Sequence, residues 1–190
     1  MKYIERWKQF LLKEKFNQFY QSVDSYPKDA KITVQEGEID EAILSNLINI
    51  NQQASDKPSG LWYGIGPNWI QYCEEHVPSR SDIYTSAYIL DIDMSKVLHL
   101  STYNDLSKFS KTYGTNDRSG RVLTTIDWVK VSTQFSGIEI SPYIYKARLD
   151  IEIPWYYVWD IASGCIWNKD VIKNFKEIEY NKFRDTKRPD

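Results

Sequence analysis

Residues 57–73, Lys-Pro-Ser-Gly-Leu-Trp-Tyr-Gly-Ile-Gly-Pro-Asn-Trp-Ile-Gln-Tyr-Cys, constrain this chain more than any other stretch. Lys57-Pro58-Ser59-Gly60 breaks regular structure, Leu61 to Tyr63 suits a short strand, and Gly64-Ile65-Gly66-Pro67 breaks the chain again. A helical pattern follows from Asn68 to about His76, with Pro67 suited to its first turn. Gly64 and Gly66 admit positive φ and let a ligand approach the main chain. Trp62, Tyr63, Trp69 and Tyr72 surround this turn. Such rings can simply fill a core, or they can line a cleft that sandwiches a flat ligand ring.

The 190 residues, 42% apolar and 15% aromatic, suit one domain with a substantial core. A formal net charge of −2 supplies no global field that would draw the chain onto nucleic acid or a membrane. Cys73 and Cys165 make neither a metal pattern nor a disulfide framework. The charged N-terminus, Met1 to Lys8, lacks the apolar centre of a signal peptide, and no apolar run reaches the roughly 18–20 residues of a membrane span. These features lead us to expect a cytoplasmic protein with no membrane partner and no metal.

The hydrophobic periodicity predicts an α+β chain. Residues 1–25 form an N-terminal helix with Ile4, Trp7, Leu11, Phe19 and Val23 along one stripe, and 30–153 form the core. Within that core, strands are expected over 31–35, 81–94, 96–100, 136–141 and 144–153. The first strand has three β-formers, the second carries apolar residues on both faces and belongs in mid-sheet, and the last alternates cleanly. Helices are expected over about 39–50, over 104–113 with Asn104 as N-cap and Gly114 as stop, and over a short segment capped by Thr125. Residues 114–121 read as a polar loop. Residues 154–179 read as an aromatic, glycine-broken cover followed by a last helix capped by Asn168, and 180–190 as a charged tail.

Several chemistries lack their residues. His76 and His99 are the only histidines, no Gly-x-Ser-x-Gly turn exists, and Ala162-Ser163-Gly164 has the wrong flanks for one. No Walker-type phosphate loop or dinucleotide fingerprint is present. Glu139 is the candidate catalytic carboxylate. It lies mid-strand between Ile138 and Ile140, and shares its face with Gly137, which clears space, and Ser141, which keeps it polar. A solvated glutamate on an amphipathic strand is the plain alternative.

The order of these parts resembles the ADP-ribosyltransferase family, in particular its diphtheria-toxin-like and poly-ADP-ribose-polymerase-like branch. The likeness rests on Gly60-Leu61-Trp62-Tyr63 running into a helix that ends in Tyr72-Cys73, on the strand segments 84–100, and on a late strand presenting Glu139. It implies a split antiparallel β-sheet core flanked by helices, with NAD as co-substrate. Trp62 and Tyr72 would sandwich the nicotinamide, Gly60 and Leu61 would meet its amide, and Tyr63 would sit in the core or rim of that site. Glu139 would bind the ribose 2′-hydroxyl and stabilise the oxocarbenium ion that forms as nicotinamide leaves. The family's first strand supplies a His or Arg that grips NAD. Here Lys31-Ile32-Thr33-Val34-Gln35 has neither, which leaves Thr33 and Gln35 to bond a ribose hydroxyl.

The resemblance implies a mono-ADP-ribosyltransferase acting on a macromolecular acceptor, protein, RNA or DNA, as an intracellular toxin with a neutralising antitoxin partner. Lys108, Lys111, Arg118 and Arg121 read first as a solvated helix and loop, and as a local patch they could hold the phosphates of a nucleic-acid acceptor. The departure in the first strand supports instead a non-catalytic module of the same fold that binds a nucleotide or a partner protein. An unrelated α+β domain, its aromatics all core, is a third reading.

Overall fold

The computed structural model describes residues 28–48, 51–77, 79, 83–116 and 124–178. The helix expected over 1–25, the tail 180–190, and Arg118 and Arg121 lie outside the described residues. The described chain is mixed α+β. A seven-stranded sheet holds β1 (Lys31–Gln35), β3 (Leu61–Ile65), β4 (Ser86–Ile92), β5 (Val97–Leu100), β8 (Gly137–Ile140), β9 (Ser163–Ile166) and β10 (Ile172–Ile178), in the spatial order β10-β4-β1-β3-β9-β8-β5. A smaller sheet pairs β2 (Ala54–Ser55), β7 (Thr124–Asp127) and β6 (Gly114–Asn116) in that order. The helices are α1 (Glu41–Ile48), α2 (Asn68–His76), α3 (Tyr103–Tyr113) and α4 (Trp128–Ser132).

Pairing is antiparallel across the large sheet except at its β5 edge. There β5 runs parallel to β8 with His99 opposite Glu139. A parallel pair needs a long crossover, and the chain between β5 and β8 supplies one with α3, β6, β7 and α4. Side chains alternate between the two faces of the sheet. One face carries Leu61, Tyr63, Tyr88, Leu90, Val97 and Ile166 beneath Ile39 and Leu44. The other face divides in two. Ile32, Val34 and Ala87 pack under Ile70 of α2. Ile138, Ile140 and Cys165 pack under α3 and a mass of rings that includes Trp128, Trp155, Tyr156, Trp159 and Trp167. The two-sided burial expected for β4 matches its place between β10 and β1.

Several expectations are corrected. Residues 144–153 form no strand. They wind through a 3-10 turn at Tyr145–Ala147 and successive i→i+3 bonds, Ala147 to Ile144, Asp150 to Ala147, Ile153 to Asp150 and Tyr156 to Ile153. Ile144, Ala147, Ile153, Tyr156 and Trp159 are buried at spacings of three or six, and Trp155 is buried beside Tyr156. Leu149 and Ile151, placed inward by the alternation, are 84% and 74% exposed. The segment 154–179 is built into the large sheet. It contributes β9, inserted between β3 and β8, and its last element is β10 rather than a helix. Asn168 caps only the 3-10 turn Lys169–Val171, and the chain then pairs with the edge of β4. Thr125 lies in β7, and Asp127 caps α4 by accepting from the Lys130 amide. Residues 114–116 are β6 rather than loop, because β7 offers them an edge to pair with.

Thr102, not Asn104, caps α3. Its hydroxyl accepts from the Asp105 amide, while Asp105 Oδ2 accepts from the Thr102 amide at 2.9 Å, a reciprocal capping box. Thr102→Ala should therefore lower stability by about 1 kcal/mol in urea denaturation. Bonds from Thr102 and Ser101 hold the Asp105 carboxyl below its ordinary range. A folded value below the unfolded one stabilises the fold above about pH 4 and loses that contribution as pH falls through the folded value. The gap between wild type and Asp105→Asn should accordingly close on acidification.

Candidate functional site

The strand register builds one row of side chains across three strands. Tyr63 on β3 lies opposite Gly164 on β9, and Gly164 lies opposite Glu139 on β8. A Cβ on Gly164 would come within 2.3 Å of the Tyr63 ring and hydroxyl and 2.8 Å of the Ile138 carbonyl oxygen. The bare glycine lets the phenol cross β9 and donate to Glu139 Oε2 at 2.9 Å. Lys31 of β1 brings its ammonium within 3.2 Å of the same oxygen. His99 Nε2 stands 3.9 Å from Glu139 Oε1 and 2.9 Å from the Ser141 carbonyl oxygen. Glu139 is only 6% exposed, so this carboxylate is a buried charge matched by an ammonium and a phenol. Burial and then the neighbouring carboxylate push the Tyr63 phenol well above its ordinary value, so it stays a donor.

The opposite face holds a cavity of about 390 Å³. Val34, Trp62, Gly64, Trp69, Tyr84 and Ile161 line its apolar part, and Lys57, Asp160 and Ser163 its polar part. Close approach of α2 to β3 shapes one wall: a Cβ on Gly64 would stand 2.9 Å from that of Trp69. Gly66, at φ +60°, makes the left-handed turn between them, whereas Gly64 is required for space and not for its backbone angle. Trp62 packs against Trp159 with ring centres 5.0 Å apart, and the Lys57 ammonium lies 5.2 Å from the Trp62 ring centre. Tyr72 stacks between Trp69 and His76, at 5.6 and 4.9 Å. Burial and then the nearby Asp160 carboxylate push its phenol above the ordinary value, and Asp160 Oδ1 accepts from Arg148 Nη2 at 3.0 Å.

Trp62, Gly60, Leu61, Tyr63 and Gln35 all border the cavity, so much of the expected cofactor set meets there. The expected convergence of Trp62, Tyr72 and Glu139 does not occur. Trp62 shares its row with Cys165 and Ile138, one position out of step with Tyr63, Gly164 and Glu139, so it points through the other face of the sheet. Trp69, not Tyr72, is the α2 ring that lines the cavity. Thr33 is buried and accepts from Gln35 Nε2 at 2.8 Å. Sequence reasoning missed Lys31, Asp160 and Lys57. The parity of Lys31 with Thr33 on one strand could have exposed the first. Nothing local marked Asp160, a single charge inside an aromatic run.

Two substitutions probe the row. Tyr63→Phe removes a donor from a buried carboxylate and should lower stability by about 1.5–3 kcal/mol. Gly164→Ala forces the phenol or β9 to move and should lower it by about 1–3 kcal/mol or more. Both losses are read from denaturation midpoints with an unchanged m-value.

No helix among the described residues is long and apolar enough to cross a membrane. No protein-family model, curated protein or solved structure matches this chain.

Proposed function

We propose that this protein binds a nucleotide-type ligand by seating its planar ring in the cavity between Trp62, Trp69 and Tyr84, with the nicotinamide end of NAD as the foremost candidate. The cavity carries this reading. Its volume of about 390 Å³ lies within the range of small-molecule sites, roughly 300–1,000 Å³, and it combines aromatic walls with a few polar groups. Trp62, Trp69 and Tyr84 would stack the ring, Ser163 and Asp160 would orient it, and Lys57 would face an attached phosphate. Because Glu139 faces away from Trp62, this arrangement supports a nucleotide-binding module of ADP-ribosyltransferase-like construction before it supports an enzyme.

One observation favours the transferase reading as a second possibility. Glu139 is a buried carboxylate gripped by Tyr63 and Lys31 beside a half-exposed His99, a setting of the kind found where charge is stabilised during a reaction. On this reading Lys31 takes the place of the missing first-strand His or Arg. NAD supplies a cleavable nicotinamide–ribose bond, Glu139 lies where positive charge would be stabilised, and the acceptor is a protein, RNA or DNA. An intracellular toxin held in check by an antitoxin protein would fit such an activity.

Titration with NAD should quench tryptophan fluorescence, and Trp62→Leu should weaken that binding at least tenfold. No heat of binding in calorimetry with NAD, ADP-ribose or nicotinamide would exclude the cavity reading. Label transfer from NAD to a cell extract, lowered by orders of magnitude in Glu139→Gln while NAD binding persists, would establish the transferase. Binding without turnover leaves the module.

A further inference from the structure

Asp160 is the acidic side chain that lines the cavity. Its carboxylate is braced by a network. Arg148 Nη2 donates to Oδ1 at 3.0 Å. Arg148 is in turn held over the Tyr157 ring at 5.6 Å, and its charge acts on the nearby Tyr143 phenol. The Tyr143 hydroxyl donates to the Trp159 carbonyl at 2.7 Å, which ties the network to the residue preceding Asp160. A carboxylate offers about four acceptor positions, so the bond from Arg148 leaves capacity for a ligand. The other cavity walls are mainly rings and aliphatic groups, which stack any flat ring alike and cannot tell its substituents apart.

We propose that Asp160, held in place by Arg148, is the specificity-determining acceptor of the cavity, selecting planar nitrogen-heterocyclic rings that bear an exocyclic N–H donor. This rests on the cavity binding a planar ring, as proposed above. The shared chemistry is the N–H group, present on the carboxamide of nicotinamide and on the amine of adenine. A ring carrying a carboxylate in that place would set two anions against each other and offer no donor, so the site rejects it.

The full-length protein is titrated by tryptophan fluorescence and calorimetry with nicotinamide, nicotinate, nicotinamide mononucleotide and ADP-ribose. Nicotinamide is expected to bind at least tenfold more tightly than nicotinate. Asp160→Asn should reduce that ratio to near one, chiefly by admitting nicotinate. Binding of the mononucleotide but not ADP-ribose assigns the nicotinamide ring as the source of the donor, and the reverse assigns adenine; either agrees with the inference. Equal affinity of the wild type for nicotinamide and nicotinate overturns it, and needs no variant to fold. So does a preference that survives Asp160→Asn. If no compound in the series binds, the cavity reading itself fails; if rings bind without regard to the N–H group, that reading stands and the role of Asp160 falls.

Discussion

The passage of the Tyr63 side chain across Gly164 to Glu139 is the contact on which the arrangement of this protein depends. It joins β3, β9 and β8 through one row, and it exists only because β9 presents a residue without a side chain there. A strand slipped by one residue would turn every side chain to the other face. It would put Cys165 under Tyr63 and leave Glu139 buried without its phenol, and an uncompensated buried carboxylate is strongly unfavourable. The hydrogen bond and the ammonium of Lys31 thus do more than neutralise a charge. They select the register, and with it the residues that reach the cavity on the far side.

The sheet therefore separates two chemistries. The face with Glu139, Lys31 and His99 gathers charge, while the face with Trp62, Trp69 and Tyr84 gathers rings and encloses space. Between them lies a single layer of strands, which lets neighbouring residues such as Trp62 and Tyr63 serve opposite sides. The connection between β8 and β9 links the two. It leaves the strand that carries Glu139, brings Arg148 and Asp160 to the cavity, and returns as the strand that carries Gly164.

Much of the fold was legible where one local rule acted alone. The turn at Gly66, the helix Asn68–His76, the strand Lys31–Gln35 and the two-sided strand around Ala87 to Ile92 all followed from spacing and breakers. Reading failed where two periods fitted the same residues. Between Ile144 and Trp159 the apolar residues satisfy a period of two through Leu149 and Ile151, and a period of three through Ala147, Ile153 and Tyr156. Burial chose the second. The segment Ile172–Ile178 fits an amphipathic helix as readily as a strand, and the open edge of β4 decided it. Glu139 was legible as a carboxylate among isoleucines. Its partners were not, because Lys31, Tyr63 and His99 come from three other strands.

The amino-acid sequence by itself determined which residues are strand, turn and helix around positions 57–76, that Glu139 stands between apolar neighbours, and that rings crowd the glycine turn. These are consequences of backbone freedom and side-chain alternation, which act over a few residues. Tertiary structure alone decided that a strand from the aromatic segment near the C-terminus enters the middle of the sheet, and so which rings and charges share a face. Strand order and register are set by pairing between distant segments and by the burial of whole faces. No window of the sequence contains that information, and it is what put Asp160 beside Trp62 and turned Glu139 away from it.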